Sequence, residues 1–441
     1  MSNPPWWVGK TGRFWRRRWI AGVRAGSRWP FTLTQRSAPD RFVDGDYLPY
    51  PFFLGYATTY MRRETGERVD FRDSIALRES ESSYLEAIRS GDYDYIFIES
   101  ASPSWENDLK LVHKIHAVAP RTRIVLCGPI TAHDPARFLE NAPIHACLQG
   151  EYEKLAVKVA RGASGVLAHD LLTVEEMNSA PFPHFDDTIA HRYRDDNPLG
   201  QQFPHAQVWS SRGCPFKCIF CVWPATMTGN DPEGTAARRV RHYSVEYMEA
   251  FLREIVTKYK YRSIYFDDDT FNLGRSHVQR MCTVMRKIGL PWSAMCRADT
   301  IPLDVWAEMK DAGCFGVKLG YESGSQYVVD NIVNKHLDLE QARLATQEIK
   351  RLGMKVHGTF TYGLPGETHE QMLETRRYRE SLGLDSYQES GTAEIEGTPL
   401  HRLRLDGSLA NFSGAIIDKG YRRETDGNKK FQMLVEDLRK N

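Results

Sequence analysis

RGCPFKCIFC, residues 212–221, sets Cys214, Cys218 and Cys221 at spacings of four and three in a chain of 441 residues with eight cysteines. Three thiols this close make a disulfide framework, a zinc site, an iron–sulfur site or an accident, and their surroundings weigh between these. The opening stretch MSNPPWWVGKTGRFWRRRWIAGVRAG has neither the apolar core nor the small-residue cleavage site of a secretory signal. A cytoplasmic, reducing location is expected, where close cysteines bind metal or do redox chemistry. A structural zinc site wants four ligands, usually as two separated pairs. No second pair of this kind occurs, and His205 and His242 lack the spacing of a finger. Three thiolates suit three irons of a 4Fe–4S cube whose fourth iron stays open.

Composition narrows the partners. Basic and acidic residues number 58 and 57, a net charge of +1, which gives no reason to expect nucleic acid. No run approaches the ~20 apolar residues of a membrane helix, so no integral membrane segment is expected. At 441 residues the chain is too long for one ordinary core and predicts two domains with extensions. Residues 1–48 interleave Trp6, Trp7, Trp15, Trp19 and Trp29 with Arg13, Arg16, Arg17, Arg18, Arg24 and Arg28 and read as a basic, aromatic N-terminal extension.

Residues 49–165 alternate helices with short apolar strands, among them YDYIFIES, TRIVLCG and IHACLQ. That pattern predicts a parallel, doubly wound α/β (Rossmann-like) sheet, with ligands outside the carboxyl ends of its strands. Those ends fall at Glu99–Ser104, Gly128–Thr131 and Gln149–Glu151; no glycine-rich dinucleotide fingerprint follows them. Residues 166–204, rich in Pro, Asp and Gly, read as a linker. A second alternation over 205–405 contains six strand–helix units and predicts a full or partial (β/α)6 TIM-like barrel, with chemistry at the C-terminal strand ends. The cysteine ladder follows the first of these strands. Residues 406–441 form a tail ending in a predicted helix, KKFQMLVEDLRK.

CxxxCxxC with an aromatic residue, Phe220, before its last cysteine resembles closely the signature of the radical S-adenosylmethionine (SAM) superfamily. The resemblance runs over residues 205–405. YFDDDTFN (265–272) occupies the place of the family's glycine–glycine–glutamate motif. RAD (297–299), GYESGS (320–325), GTFTYGLPGET (358–368) and EGTPL (396–400) follow at successive strand ends. It implies a 4Fe–4S cluster on Cys214, Cys218 and Cys221, with SAM chelating the open iron. An electron then cleaves SAM to a 5′-deoxyadenosyl radical, which takes hydrogen from an unactivated carbon of a small-molecule substrate of natural-product, sugar or lipid type. An electron donor such as flavodoxin or ferredoxin is implied as partner. Phe220, Asp267, Asp268, Arg297, Glu322, Ser323 and Gly363 are the implied SAM-binding positions: the aspartates for its ammonium, Arg297 for its carboxylate, Glu322 for ribose.

The doubly wound domain, with LQGEYE (148–153) at its last turn and VRAGSRWP (23–30) before its first helix, resembles the cobalamin-binding branch of that superfamily. This implies cobalamin as a possible cofactor, used for C-methylation or rearrangement in biosynthesis, with Ser100–Trp105 and Gly128–Thr131 along the corrin. The DxHxxG motif is absent, and the domain's first strand is expected to be missing. Glu389, Glu394 and Glu396 are expected around the barrel mouth. With Asp269 they offer acid/base groups for the alternative of a cobalamin-independent radical dehydration or epimerisation on a scaffolding N-terminal domain. An alternative of another class is a non-catalytic iron–sulfur electron carrier or scaffold. Cys282, Cys296 and Cys314, widely spaced, are expected as buried apolar thiols.

Overall fold

Tyr95–Glu99 and Arg123–Cys127, two of the apolar runs, pair in parallel at the centre of a six-stranded sheet in a computed structural model of the chain. It describes residues 1–11, 17–21, 33–36, 47–195, 199, 201–228, 238–392 and 394–408. Across the sheet the order is Gly165–Leu167, Ala146–Leu148, Arg123–Cys127, Tyr95–Glu99, Ser2–Asn3, Arg72–Asp73, and every pairing is parallel. Alternation divides each strand between two layers. Ile96, Ile98, Ile124 and Leu126 face one core with Leu111, Val112 and Ile115, whereas Phe97, Val125 and Cys127 face the other with Phe53, Ala57 and Leu155.

One expectation is corrected at the start of the chain. Residues 1–48 do not behave as an extension throughout: Ser2–Asn3 fills the sheet slot beside Ile98 and Arg72–Asp73, where the first strand was expected to be missing. The Asn3 side-chain amide donates to Asp73 (2.9 Å), and the Ser2 hydroxyl hydrogen-bonds Tyr84 (2.8 Å). Trp7–Thr11 and Arg17–Ala21 form an antiparallel ribbon, and Leu33–Arg36 runs antiparallel to the last barrel strand. VRAGSRWP and the tail helix KKFQMLVEDLRK lie outside the described residues.

Six parallel strands follow in sequence order: His205–Val208, Ser263–Phe266, Trp292–Cys296, Cys314–Glu322, Lys355–Tyr362 and Ser386–Gly391. The first and last are not paired with each other, so the barrel is partial. Three of the crossover helices start at side-chain caps. Ser244 caps Val245–Tyr259, Asp338 caps Leu339–Arg351, and a Thr368/Gln371 capping box opens His369–Ser381. Among the described residues no helix is long and apolar enough to cross a membrane.

The segment read as a linker is built. It holds a capped helix, Val174–Ser179, and a strand, Arg194–Asp195, paired with Tyr47–Leu48. From that strand Asp195 reaches the buried ammonium of Lys318 (2.5 Å), which lies 3.8 Å over the Tyr265 ring. The Asp195 N–H also donates to His205, the first residue of the first barrel strand (3.2 Å), so this segment is held at the amino-terminal end of the barrel, and the cysteine loop lies at the other end.

Candidate active site

The cysteine loop leaves the first barrel strand at Trp209 and is clamped at once. Asp268, at the end of the second strand, accepts from the Ser210 N–H (3.1 Å), the Ser210 hydroxyl (2.9 Å) and the Ser211 hydroxyl (2.5 Å). Burial pushes the Asp268 carboxyl up to about 6 against the pull of these bonds. Expected as an acceptor for the SAM ammonium, Asp268 is instead committed to the loop. Asp267 ties the two strand ends through its N–H to the Val208 carbonyl (2.9 Å). Asp269 opens into the cavity; seclusion from bulk water and the adjacent Asp268 raise its carboxyl to about 7. Gly213 has φ +94, and a Cβ there would come within 2.8 Å of the Arg239 carbonyl, so only glycine fits before Cys214.

Beyond that turn, neighbours hold the loop by its backbone. Arg238 donates to the Phe216 carbonyl (2.6 Å), Asn334 to Lys217 (3.3 Å), and the Ile219 N–H to Val333 (3.0 Å). The Leu400 N–H, from EGTPL, donates to the Ile219 carbonyl (2.9 Å), so that motif pins the loop. Cys214, Cys218 and Cys221 are unpaired and line one cavity of about 290 Å³. Burial pushes the Cys214 thiol up to about 11, so it keeps its proton until a metal displaces it. Among the described residues no three His, Cys, Asp or Glu side chains converge as on a single ion. A cube takes one thiolate per iron and does not require that convergence. Phe220 lines the same cavity and packs against Val328, Ile332, Val333 and Leu364.

Barrel strand ends supply the opposite wall. Arg297, expected to grip a carboxylate with both arms, has its fork taken by Asp299 (2.5 and 2.9 Å). Its guanidinium also stacks 3.7 Å over Phe216 and donates to the His336 carbonyl (2.8 Å), leaving buried Nη1 without a partner among the described residues. Glu322 sits at φ +67 between the Lys335 ammonium (2.8 Å) and the Thr361 hydroxyl (3.1 Å). Lys335 is a site residue that sequence reasoning missed. Flanked by Asn334 and His336, both in the left-handed region, it is driven into the cavity, where Glu322 and Cys218 outweigh burial and raise its pKa. A lysine in a short polar loop carries no sequence mark of this.

Two implied positions lie off the cavity. Ser323 shares a hydrogen bond with Thr375 (2.9 Å) and accepts from the Ser325 N–H (3.1 Å). Gly363, at φ +71, turns the chain out of its strand and donates its N–H to buried Glu367.

The acids expected at the mouth are turned elsewhere. Gln388 and Ser390 line the cavity, so strand alternation sends Glu389 to the helix side, where it pairs with Arg379 and accepts from Tyr362 (3.1 Å). Glu394 pairs with Arg404 and lies 3.7 Å from His401. Glu396 pairs with Arg137 of the N-terminal unit, and its N–H donates to the Ser102 hydroxyl (3.1 Å). None of the three lines the cavity.

The N-terminal unit reaches this cavity directly. Glu99, at the end of its central strand, is among the lining residues and accepts from Tyr152 (2.9 Å). Below it Phe52, Phe53, Trp209, Trp223 and Met227 form an apolar wall, with Phe52 and Trp209 stacked at 4.1 Å. The strand-end loops are more self-contained than expected. Ser100 and Ser104 donate to Asp108 (2.7 and 2.6 Å), Thr131 donates to the Leu148 carbonyl (2.6 Å), and Trp105 packs edge-on against Phe138. Cys282, Cys296 and Cys314 are free and buried, and burial raises all three thiols.

Comparison with known proteins agrees with this arrangement. Residues 210–378 match the radical SAM superfamily. An uncharacterised methyltransferase of Pyrococcus horikoshii is 26% identical over 381 residues, covering 81% of this chain and 79% of the relative. The cytidylyl-2-hydroxyethylphosphonate methyltransferase of Streptomyces wedmorensis is 26% identical over 242 residues, 52% of this chain and 43% of that one. Among solved structures, the radical SAM methyltransferase TsrM of Kitasatospora setae, with cobalamin and a 4Fe–4S cluster bound, shares the fold. Its TM-score is 0.65 at 13% identity, covering 89% of this chain and 86% of TsrM. OxsB, a cobalamin-dependent radical SAM enzyme, has a TM-score of 0.61 at 16% identity, covering 90% of this chain and 54% of OxsB.

Proposed function

We propose that this chain, whose residues 210–378 match the radical SAM superfamily, is a cobalamin-assisted C-methyltransferase acting on a small molecule. The observation that carries this reading is the seating of the N-terminal sheet's carboxyl edge on the barrel mouth. Glu99 lines the cavity of the three cysteines, and Glu151 and Arg137 of the same unit pair with Arg212 and Glu396 of the barrel. The flat apolar faces of Phe52, Phe53, Trp209 and Trp223 fit a macrocycle; among the described residues lining the cavity there is no histidine to serve as a base for cobalt. Methyltransferase relatives and the cobalamin-bearing fold neighbours support the same choice. The dehydration alternative loses three of its four acids, since Glu389, Glu394 and Glu396 are paired away from the cavity and Asp269 alone of them lines it.

In this reading Cys214, Cys218 and Cys221 hold the cluster, which when bound supplies the electron that splits SAM. Lys335 and the free Nη1 of Arg297 receive the SAM carboxylate, charge-assisted contacts made stronger by burial. Asp269 receives the ammonium. Cobalamin, when bound, supplies a carrier for the methyl group. Trp209, Trp223, Phe216 and Phe360 keep water from the cavity, which protects radical chemistry from quenching side reactions.

The test is anaerobic reconstitution with iron and sulfide, then SAM and dithionite, with 5′-deoxyadenosine measured by chromatography. A loaded chain that forms none rejects the enzyme reading. Titration with hydroxocobalamin, followed by gel filtration and the visible spectrum, checks the second cofactor. A chain that retains no corrin rejects methyl transfer by this route.

A further inference from the structure

Arg212 and Arg241 face each other across a short antiparallel ribbon, Ser211–Arg212 against Arg241–His242, which begins the cysteine loop. Both guanidinium groups turn toward the N-terminal unit. Arg212 donates to Glu153 (2.7 Å), lies 3.2 Å from Glu151, donates through Nε to the Tyr243 hydroxyl (3.0 Å) and stacks 4.4 Å over Tyr56. Arg241 holds Glu151 with two bonds (2.5 and 3.1 Å) and the Leu172 carbonyl with another (2.6 Å). Side-chain exposures are 2% and 10% for the arginines and 1% and 2% for the acids, so water hardly screens the four charges. Both cations lie on the barrel loop, Arg212 two residues from Cys214; both acids lie on the last turn of the N-terminal unit.

We propose that Glu151 is a positioning residue for the cluster. Through Arg212 and Arg241 the N-terminal unit sets the electrostatic field at the cysteine loop, and with it the cluster's reduction potential. The inference rests on the cluster reading above. Its physical ground is that one-electron reduction makes the cluster more negative, so a nearby buried positive excess favours the reduced form and a negative excess disfavours it. Arg212 keeps Glu153 and Tyr243 when Glu151 is neutralised, so the loop retains an anchor while the charge balance changes.

The experiment is a redox titration of the reconstituted full chain, with dithionite as electron source and the reduced cluster followed by electron paramagnetic resonance. Glu151→Gln is expected to shift the midpoint upward, Arg241→Gln to shift it downward, and the double variant to return it to the wild-type value. Where one single variant fails to load, the sign of the other decides. Loaded variants with an unmoved midpoint, shifts of one sign, or a double variant that stays displaced overturn the proposal. A wild-type chain that takes up no cluster overturns the family reading first, and this inference with it.

Discussion

Gln388 and Glu389 are neighbours on one strand and face opposite ways: Gln388 lines the cavity of the three cysteines, and Glu389 pairs with Arg379 on the outer helix. The acid at the mouth is thereby replaced by an amide, and the charge serves the scaffold.

Replacing that acid should therefore cost stability. Glu389→Gln takes the buried carboxylate from the Arg379 guanidinium, 10% exposed, and leaves it the more exposed Glu380 (3.2 Å). Breaking a buried pair from one side costs about 3 kcal/mol. Chemical denaturation should show that loss, while 5′-deoxyadenosine formed per folded chain stays within about twofold of wild type, as expected for a residue outside the site. Lost cleavage at unchanged stability would return Glu389 to the chemistry.

The cysteines should divide sharply. Cys218→Ala should lower iron per chain and abolish SAM cleavage, because three thiolates are the minimum that leaves one iron open. Cys314→Ala, at a buried thiol that donates to the Gly316 carbonyl, should keep both. Equal iron loss in the two variants would rule out this division.

Lys335→Met keeps an unbranched side chain one atom shorter and removes its charge. A charged hydrogen bond contributes about 1.5–3 kcal/mol, so the KM for SAM in the cleavage assay should rise about tenfold or more. Cluster content should hold. An unchanged KM with full cluster loading removes Lys335 from SAM binding.

Acid should destabilise the barrel through His205. Burial lowers this imidazole from 6.5 to about 4, and its Nε2 accepts the Asp195 N–H (3.2 Å). The unfolded chain binds the proton first, so the contribution is complete above pH ~6.5 and is lost as pH falls toward ~4, on the order of 3 kcal/mol in all. Denaturation at pH 5 and pH 7 should show the drop, and His205→Gln should flatten it. A slope that survives the substitution belongs to other groups.

What the sequence made legible follows period and spacing. Buried strands such as YIFIE and helices such as VEYMEAFLREIVTKY carry their own apolar pattern and end signals, and the cysteine ladder needs only its spacing. Facing was harder. In SYQESG both residue sets are polar, so nothing in the alternation says which side is inward until the helix supplies Arg379. Three consecutive aspartates likewise do not reveal which of them turns toward Ser210 and Ser211. Ser2–Asn3 is too short to show any period, and its place is set by parallel pairing with residues about seventy positions away.

Asp195 and Lys318, at the foot of the barrel, give the molecule a second fastening. The Glu396–Arg137 and Glu151–Arg212 pairs join the N-terminal unit to the barrel at the mouth, so that unit and the segment after it are held at opposite ends. A clamshell opening at the mouth would have to part the buried Glu151–Arg212 pair, at a cost of several kcal/mol. Traffic of SAM and product is therefore a matter of single loops giving way around a fixed frame, and the seat of a second cofactor would keep its distance from the three thiols through every turnover.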